Sequence, residues 1–356
     1  MRIAQVAPLD EAVPPAFYGG TERVVSYLTE ALVDLGHDVT LFASGDSTTR
    51  ARLEAACPRS LRLDSSIRDP LAPHVAMLED VRRRAHDFDI LHCHLSYLPF
   101  PLFSELETPF LTTLHGRLDL PEVQSVFDLF PDAAVVSISD SQRTPLPRAN
   151  WLDTVHHGVP ENLLTPQPHA QPAYLAFMGR ISPEKRPDLA VEIAARARLP
   201  LKIAAKVDRA DNAYFATVIE PLLRQPHVEF LGEINDAEKP AFLSGALALL
   251  FPIDWPEPFG LVMIEAMACG TPVIAFDRGS VPEVIEQGVT GYIVSDVEEA
   301  ARAAAQVHAL SRREVRRQFE GRFTAMKMAR RYLDIYAALT AVRRRITSGC
   351  RERTRA

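Results

Sequence analysis

Two glutamates, Glu257 and Glu265, stand eight residues apart in the stretch DWPEPFGLVMIEAMACGTP, residues 254–272, and their chemistry is the easiest in the chain to name. Pro256 and Pro258 keep the backbone extended and Gly260 permits a close approach. A helix is expected to begin near Leu261 and to stop at Gly270 and Pro272. Glu257 then lies on a loop, and Glu265 about two turns beyond it on the helix. The N–H groups of Phe259, Gly260 and Leu261 would point out of the helix N-terminus, where partial positive charge collects. Carboxylates accept from paired hydroxyls and amides donate to oxygens, a combination suited to a ligand rich in hydroxyls. Taken alone, the spacing would also fit two solvated glutamates at a helix start.

A second set is cationic. In GRISPEKRPDLAVEIAARA, residues 179–197, Arg180 and Lys185 fall between an expected strand and a helix that has Pro187 in its first turn. That helix buries Leu189, Ala190, Ile193 and Ala194. A planar guanidinium and a point-like ammonium at a strand end can neutralise a diphosphate, although exposed basic residues ordinarily do nothing so specific. Gly19 and Gly20 precede another helical pattern, where oriented N–H groups can receive a phosphate or the pair can be only a turn. The absence of GxGxxG removes the best support for a nicotinamide cofactor. His115 closes an expected strand beside Gly116, positioned to bind a ligand or to satisfy a buried carbonyl. His92, Cys93 and His94 invite a zinc reading. Neighbouring residues of a strand face opposite ways, however, so Cys93 cannot readily join both imidazoles, and no metal is expected. His156 and His157, before Gly158, are equally compatible with structural roles.

The elements that must position these residues follow from apolar periodicity. Strands are expected at 2–7, 39–43, 90–92, 110–114, 135–138 and 154–156, then at 174–178, 201–205, 228–231, 246–253, 273–276 and 292–294. Helices are expected at 22–35, 237–244 and from 298 through 310 on to 345, with Ser280 capping a short helix. Such alternation predicts mainly parallel sheets covered on both faces, with ligands beyond the carboxyl ends of the strands. At 356 residues the chain is long enough for two ordinary domains. The proline-rich stretch 161–172 reads as the linker, giving domains 1–165 and 166–330, followed by 331–356.

A formal net charge of -7 and 47% hydrophobic content describe a soluble globular protein and argue against nucleic-acid binding through overall charge. Cys57, Cys93, Cys269 and Cys350 form neither a disulfide framework nor a CxxC spacing, so a reducing cytoplasm is expected. MRIAQVAP enters a strand directly, and no run approaches the roughly 20 apolar residues of a spanning helix. Arg343, Arg344, Arg345, Arg351, Arg353 and Arg355 form a basic tail that could touch anionic lipid at the inner face of a membrane or could be a solvated terminus.

Together, GGTERVVSYLTEALVDLGHDVTLF, TLHG, GRISPEKRPDLAVEIA, FLGEI and EPFGLVMIEAMACGTPVIAF resemble the retaining glycosyltransferases of family 4, over nearly the whole chain. The last segment is the most specific, since it carries the family's glutamate pair with its surroundings. The resemblance implies an α/β protein of GT-B architecture, two Rossmann-like domains facing a cleft, with a UDP- or GDP-sugar donor held mainly by the second. It implies that Arg180 and Lys185 bind the donor diphosphate, Glu265 the ribose hydroxyls, and Glu257 with the backbone of Phe259, Gly260 and Leu261 the transferred sugar. Ile234 would flank the base, Gly19 and Gly20 would close over phosphate, and His115 would face the sugar near the reacting carbon. The terminal helix, within 328–342, would cross back to the first domain. His157 stands where many relatives have Asn and is given no role. The acceptor would be a carbohydrate, a lipid-linked or a small molecule, chosen by the loops 10–17 and 117–130. No cofactor is expected, and no DxD cluster is evident. A nucleotide-sugar epimerase and a non-catalytic nucleotide-sugar-binding protein are the alternatives on the same architecture. The joint presence of Glu257, Arg180, Lys185 and His115 disfavours the last.

Overall fold

The computed structural model describes residues 1–16 and 19–353, with side chains described through 341. Its contacts divide the chain into two compact units, Met1–Gly158 with Ala325–Ala356, and Val159–Thr324. The side chains of the basic tail from Arg343 onward, and Phe17 at the end of the loop 10–17, lie outside the described residues.

The first unit is built on parallel strands in the order β3-β2-β1-β4-β5-β6-β7. These are β1 (Arg2–Val6), β2 (Asp38–Ser44), β3 (Arg52–Cys57), β4 (Ile90–Cys93), β5 (Phe110–Thr113), β6 (Val135–Ser137) and β7 (Trp151–Thr154). The central strands β1, β2 and β4 are buried almost end to end, as parallel strands covered on both faces must be. Both edges depart from the sequence expectation. β3 has no continuous apolar run, because as an edge strand it carries Arg52 exposed and Glu54 half-buried. The other edge is Trp151–Thr154 and not 154–156, so His156 and His157 fall on the loop beyond it.

Alternation along the strands sorts the two faces. Ala4, Val6, Phe42, Leu91 and Cys93 pack with Met77, Leu78 and Val81 of the helix Leu71–Arg83 in one apolar cluster. Gln5, His92 and His94 face the opposite way: Gln5 and His92 meet Tyr336 of the long helix Ala325–Arg353, His92 packs on Tyr332, and His94 joins them through Gln5. That helix also contacts the helix Gly20–Asp34 and is counted with the first unit.

The second unit repeats the plan with order β10-β9-β8-β11-β12-β13, again all parallel. Its strands are β8 (Tyr174–Arg180), β9 (Leu201–Lys206), β10 (Val228–Gly232), β11 (Ala246–Phe251), β12 (Val273–Phe276) and β13 (Gly291–Val294). Both sheets thus reverse direction of growth next to their first strand, β1/β4 in one unit and β8/β11 in the other. That is where a doubly wound sheet opens a crevice for ligands.

The division falls at Gly158/Val159 and not at 165/166. The Val159 N–H donates to Phe323 O at 2.9 Å, and Arg316 donates to the carbonyls of Glu161, Leu164 and Ala268. Gln167 N donates to Ser244 Oγ. The stretch read as a linker is therefore fastened to the second unit, by a guanidinium whose proximity no local pattern announces. The expected helical run from 298 is broken into Val297–Gln306, Arg312–Arg322 and Ala325–Arg353, with Asp296 and Ser311 capping the first two.

Candidate active site

In the second unit the switch point is formed by the connections that leave β8 and β11. They are tied together: Asp254 N donates to Glu184 O at 2.9 Å, and the Arg186 guanidinium reaches both Asp188 and Asp254. Arg186 itself has a left-handed backbone, φ 52°, immediately before the helix Pro187–Ala197. Across this junction the Lys185 ammonium donates to Glu257 Oε2. The Trp255 indole N–H donates to the same oxygen at 2.8 Å, and Lys185 lies 5.5 Å from the Trp255 ring centre and 5.8 Å from that of Phe251. Sequence reading named Lys185 and Glu257 separately, and the structure brings them into contact.

The loop that presents Glu257 is clamped from below. A Cβ on Gly279, whose φ is +57°, would stand 2.4 Å from the Glu257 backbone N and O. Ser280 N donates to Glu257 O at 3.0 Å, and Ser280 Oγ donates to Phe259 O at 2.8 Å. Ser280 stands at the cap position, but its hydroxyl serves this neighbouring loop and not its own helix. Gly260, at φ +77°, is the N-cap of the helix Leu261–Ala268, and a Cβ there would meet Met263 and Phe251 within 3 Å. Phe259 is buried and Leu261 half-buried, so their amides sit at the rim of a helix N-terminus.

Glu265 lies within the second turn of that helix and is only 2% exposed. Its Oε1 accepts from Lys239 Nζ at 2.6 Å, and Lys239 also lies 3.0 Å from Asp236 Oδ1. Burial of a carboxylate there is tolerable because an ammonium meets it. Lys239 was not singled out from the sequence; the signal was a cation three residues beyond an acid in the loop that also holds the half-buried Ile234. Arg180, at the end of β8, donates to Glu184 and lies 3.8 Å from Asp208 and 3.7 Å from Asp211. Arg180 is thus oriented by acids from two connections.

In the first unit Gly19 precedes the helix Gly20–Asp34, and a Cβ on it would strike Pro15 at 2.8 Å, whereas Gly20 faces open space. Glu22, in the first turn, is 6% exposed; burial, helped by Asp10 and Glu11, pushes its carboxyl up to about 7. His115 follows β5, and its Nε2 lies 2.9 Å from His94 Nδ1 while its ring stacks on that of His157 at 5.2 Å. Burial lowers the His115 imidazole to about 3 and keeps His92, His94 and His157 well below the usual range, so all four rings are neutral at pH 7. Cys93 turns away into the apolar cluster, and among the described residues no group of His, Cys, Asp and Glu is placed to hold a metal ion. Gln5 also escaped sequence reading as a site residue, although a glutamine inside the apolar run IAQVA was a visible irregularity, and His94 was weighed there only as a metal ligand.

Residues 165–322 match the family described as Glycosyl transferases group 1, and residues 18–159 match Glycosyltransferase Family 4. The chain is 29% identical over 347 residues, 89% of each protein, to a phosphatidyl-myo-inositol mannosyltransferase of Mycobacterium leprae. Among solved structures it is similar to AviGT4, a glycosyltransferase involved in avilamycin A biosynthesis, with a TM-score of 0.75, 23% identity, and coverage of 96% of this chain and 98% of that one. It is also similar to Anabaena HepE in complex with UDP-glucose, with a TM-score of 0.72, 19% identity, and coverage of 95% and 100%. With both halves matched and the two sheets wound alike, the chain belongs to the family 4 glycosyltransferases and has their GT-B fold.

Proposed function

We propose that this glycosyltransferase moves a sugar from a nucleoside diphosphate donor, a UDP- or GDP-sugar, to an acceptor hydroxyl, with retention of anomeric configuration and without a metal ion. The observation that carries the reading is the Lys185–Glu257–Trp255 contact at the switch point of the second sheet. Both donors converge on Glu257 Oε2, which leaves Oε1 to accept from a sugar hydroxyl beside the amides of Phe259, Gly260 and Leu261. The complex of HepE with UDP-glucose and the mannosyltransferase relative support a nucleotide sugar as the donor class.

Breaking the bond between the sugar carbon and the diphosphate oxygen leaves positive charge on the sugar and negative charge on the departing group. Arg180 and Lys185 are assigned to the latter, where preorganised cations are worth most. The acceptor oxygen then bonds to the same face of the sugar carbon that the diphosphate leaves, and its proton passes to a phosphate oxygen. Glu257, already held by an ammonium and an indole, orients the donor and does not attack it. Glu265 with Lys239 holds the ribose, Ile234 flanks the base, Gly19 and Gly20 take a phosphate oxygen, and His115 meets the sugar.

The test is turnover of UDP- and GDP-sugars with the product anomer read by NMR. Retained configuration, activity that survives chelator, and loss of transfer in Lys185→Ala are expected. Inverted product, or unchanged transfer in both Lys185→Ala and Glu265→Ala, would defeat the assignment.

A further inference from the structure

The polar face of the first sheet holds a connected row of side chains that ends at His115. Gln5 on β1 directs its Nε2 toward Tyr336 OH at 3.2 Å and His92 Nδ1 at 3.4 Å, and its Oε1 toward His94 Nε2 at 2.8 Å. His94 Nδ1 in turn faces His115 Nε2 at 2.9 Å. His115 Nδ1 is shielded from solvent and has no hydrogen-bond partner among the described residues.

The protons in this row can be followed one bond at a time. Tyr336 OH lies 2.6 Å from His92 Nδ1, so when it donates there, its own oxygen is left to accept from the Gln5 amide nitrogen. The Gln5 carbonyl oxygen can only accept, which requires the His94 proton to be on Nε2. His94 Nδ1 then carries a lone pair, and the bond between the two rings requires His115 to donate from Nε2. A neutral imidazole has one N–H, so His115 Nδ1 carries the remaining lone pair. Stacking on His157 holds the ring in place.

We propose that Gln5 and His94 are positioning residues that fix the tautomer of His115, so that Nδ1 presents a hydrogen-bond acceptor to a hydroxyl of the donor sugar. The ligand half of this inference rests on the glycosyl-transfer reading; the tautomer half does not. The chemistry selects a donor whose hydroxyl at that place has a proton to give, and it disfavours a deoxy or O-substituted sugar, which would leave a buried acceptor without a partner.

Long-range 15N–1H spectra of the ligand-free protein read the tautomer directly, with His115 assigned by the signals lost in His115→Gln. The wild type is expected to carry its proton on Nε2. Gln5→Leu, which removes the acceptor for His94, is expected to shift the proton toward Nδ1, and Gln5→Glu, still an acceptor, to keep it on Nε2. With UDP-glucose or GDP-mannose as donor, Gln5→Leu should raise KM about tenfold, the worth of one lost hydrogen bond, with a smaller change in kcat, while Gln5→Glu stays near wild type. His94→Leu is a second break expected to match Gln5→Leu in KM. On a His115→Ala background Gln5→Leu should add nothing. A wild-type Nδ1 proton, a tautomer indifferent to Gln5→Leu, or an undiminished effect of Gln5→Leu without His115 would overturn the proposal. Failure of the wild type to bind either sugar nucleotide would overturn the glycosyl-transfer reading and the hydroxyl assignment with it, while the ligand-free spectra decide the tautomer independently.

Discussion

Among individual residues, the two carboxylates of the stretch 254–272 meet different fates. Glu257 sits on the loop after β11, where Lys185 and Trp255 hold one of its oxygens, whereas Glu265 is buried against Lys239. Lys239→Met would leave the Glu265 carboxylate buried without its ammonium, and a cost of about 3 to 5 kcal/mol is expected in urea unfolding of the second unit. Lys239→Met together with Glu265→Leu should recover most of that stability while leaving donor binding impaired, measured as thermal shift with the sugar nucleotide. Glu22 gives a prediction of the opposite sign. Its carboxyl lies at about 7 in the folded protein against an ordinary 4.5, so the folded state keeps a proton that the unfolded chain gives up as pH rises through that window. The cost is absent below 4.5 and complete above about 7. Glu22→Gln is therefore expected to stabilise the protein at pH 8 by up to about 3 kcal/mol, at about 1.4 kcal/mol per pH unit, and to change little at pH 4.5. Urea midpoints at the two pH values check it. The motif residues were legible because their types and spacings are local. Lys239, Trp255 and Gln5 were not, because each acquires its role from a partner brought to it by the sheet.

For the elements, the strand interiors could be read from apolar runs and the edges could not. β3 and β7 are half-exposed, so burial places less demand on their composition, and the sequence marks them weakly. The loop carrying Glu257 depends on a contact that periodicity cannot reveal: the backbone at Gly279 passes so close that a methyl group has no room. Gly279→Ala must either displace that loop or distort its own positive-φ turn. A stability loss above about 1 kcal/mol is expected, from strain at a left-handed position alone. Transfer activity should fall further than stability explains, since Glu257 moves with the loop. The comparison of kcat/KM with the unfolding midpoint decides it. Gly20→Ala, where the added carbon meets open space, is the control on the helix side and should leave folding nearly unchanged.

Across the molecule, the repeated strand order explains why fold class was within reach of the sequence while the partition of the chain was not. Alternating strands and helices are a local signal repeated many times, but the assignment of 159–165 to the second unit depends on Arg316, far along the chain. The neutral histidines set the acid limit of the first unit. His92, His94, His115 and His157 all sit below their ordinary 6.5 when folded, so above that pH they cost nothing, and below it the unfolded chain takes up protons that the folded unit refuses. Stability should fall as pH drops under 6.5, by about 1.4 kcal/mol per pH unit for each ring that stays neutral. Hydrogen exchange at pH 7 and pH 5 should therefore show protection lost first in 1–158 and only later in 159–324.

The bond between Gln5 and Tyr336 joins residues 331 positions apart. A ribosome making this protein must therefore finish the contiguous middle portion before the beginning of the chain can cover its polar face. The early strands would spend most of translation with histidines and a glutamine facing water, and the nascent amino-terminal portion would be the natural client for a chaperone.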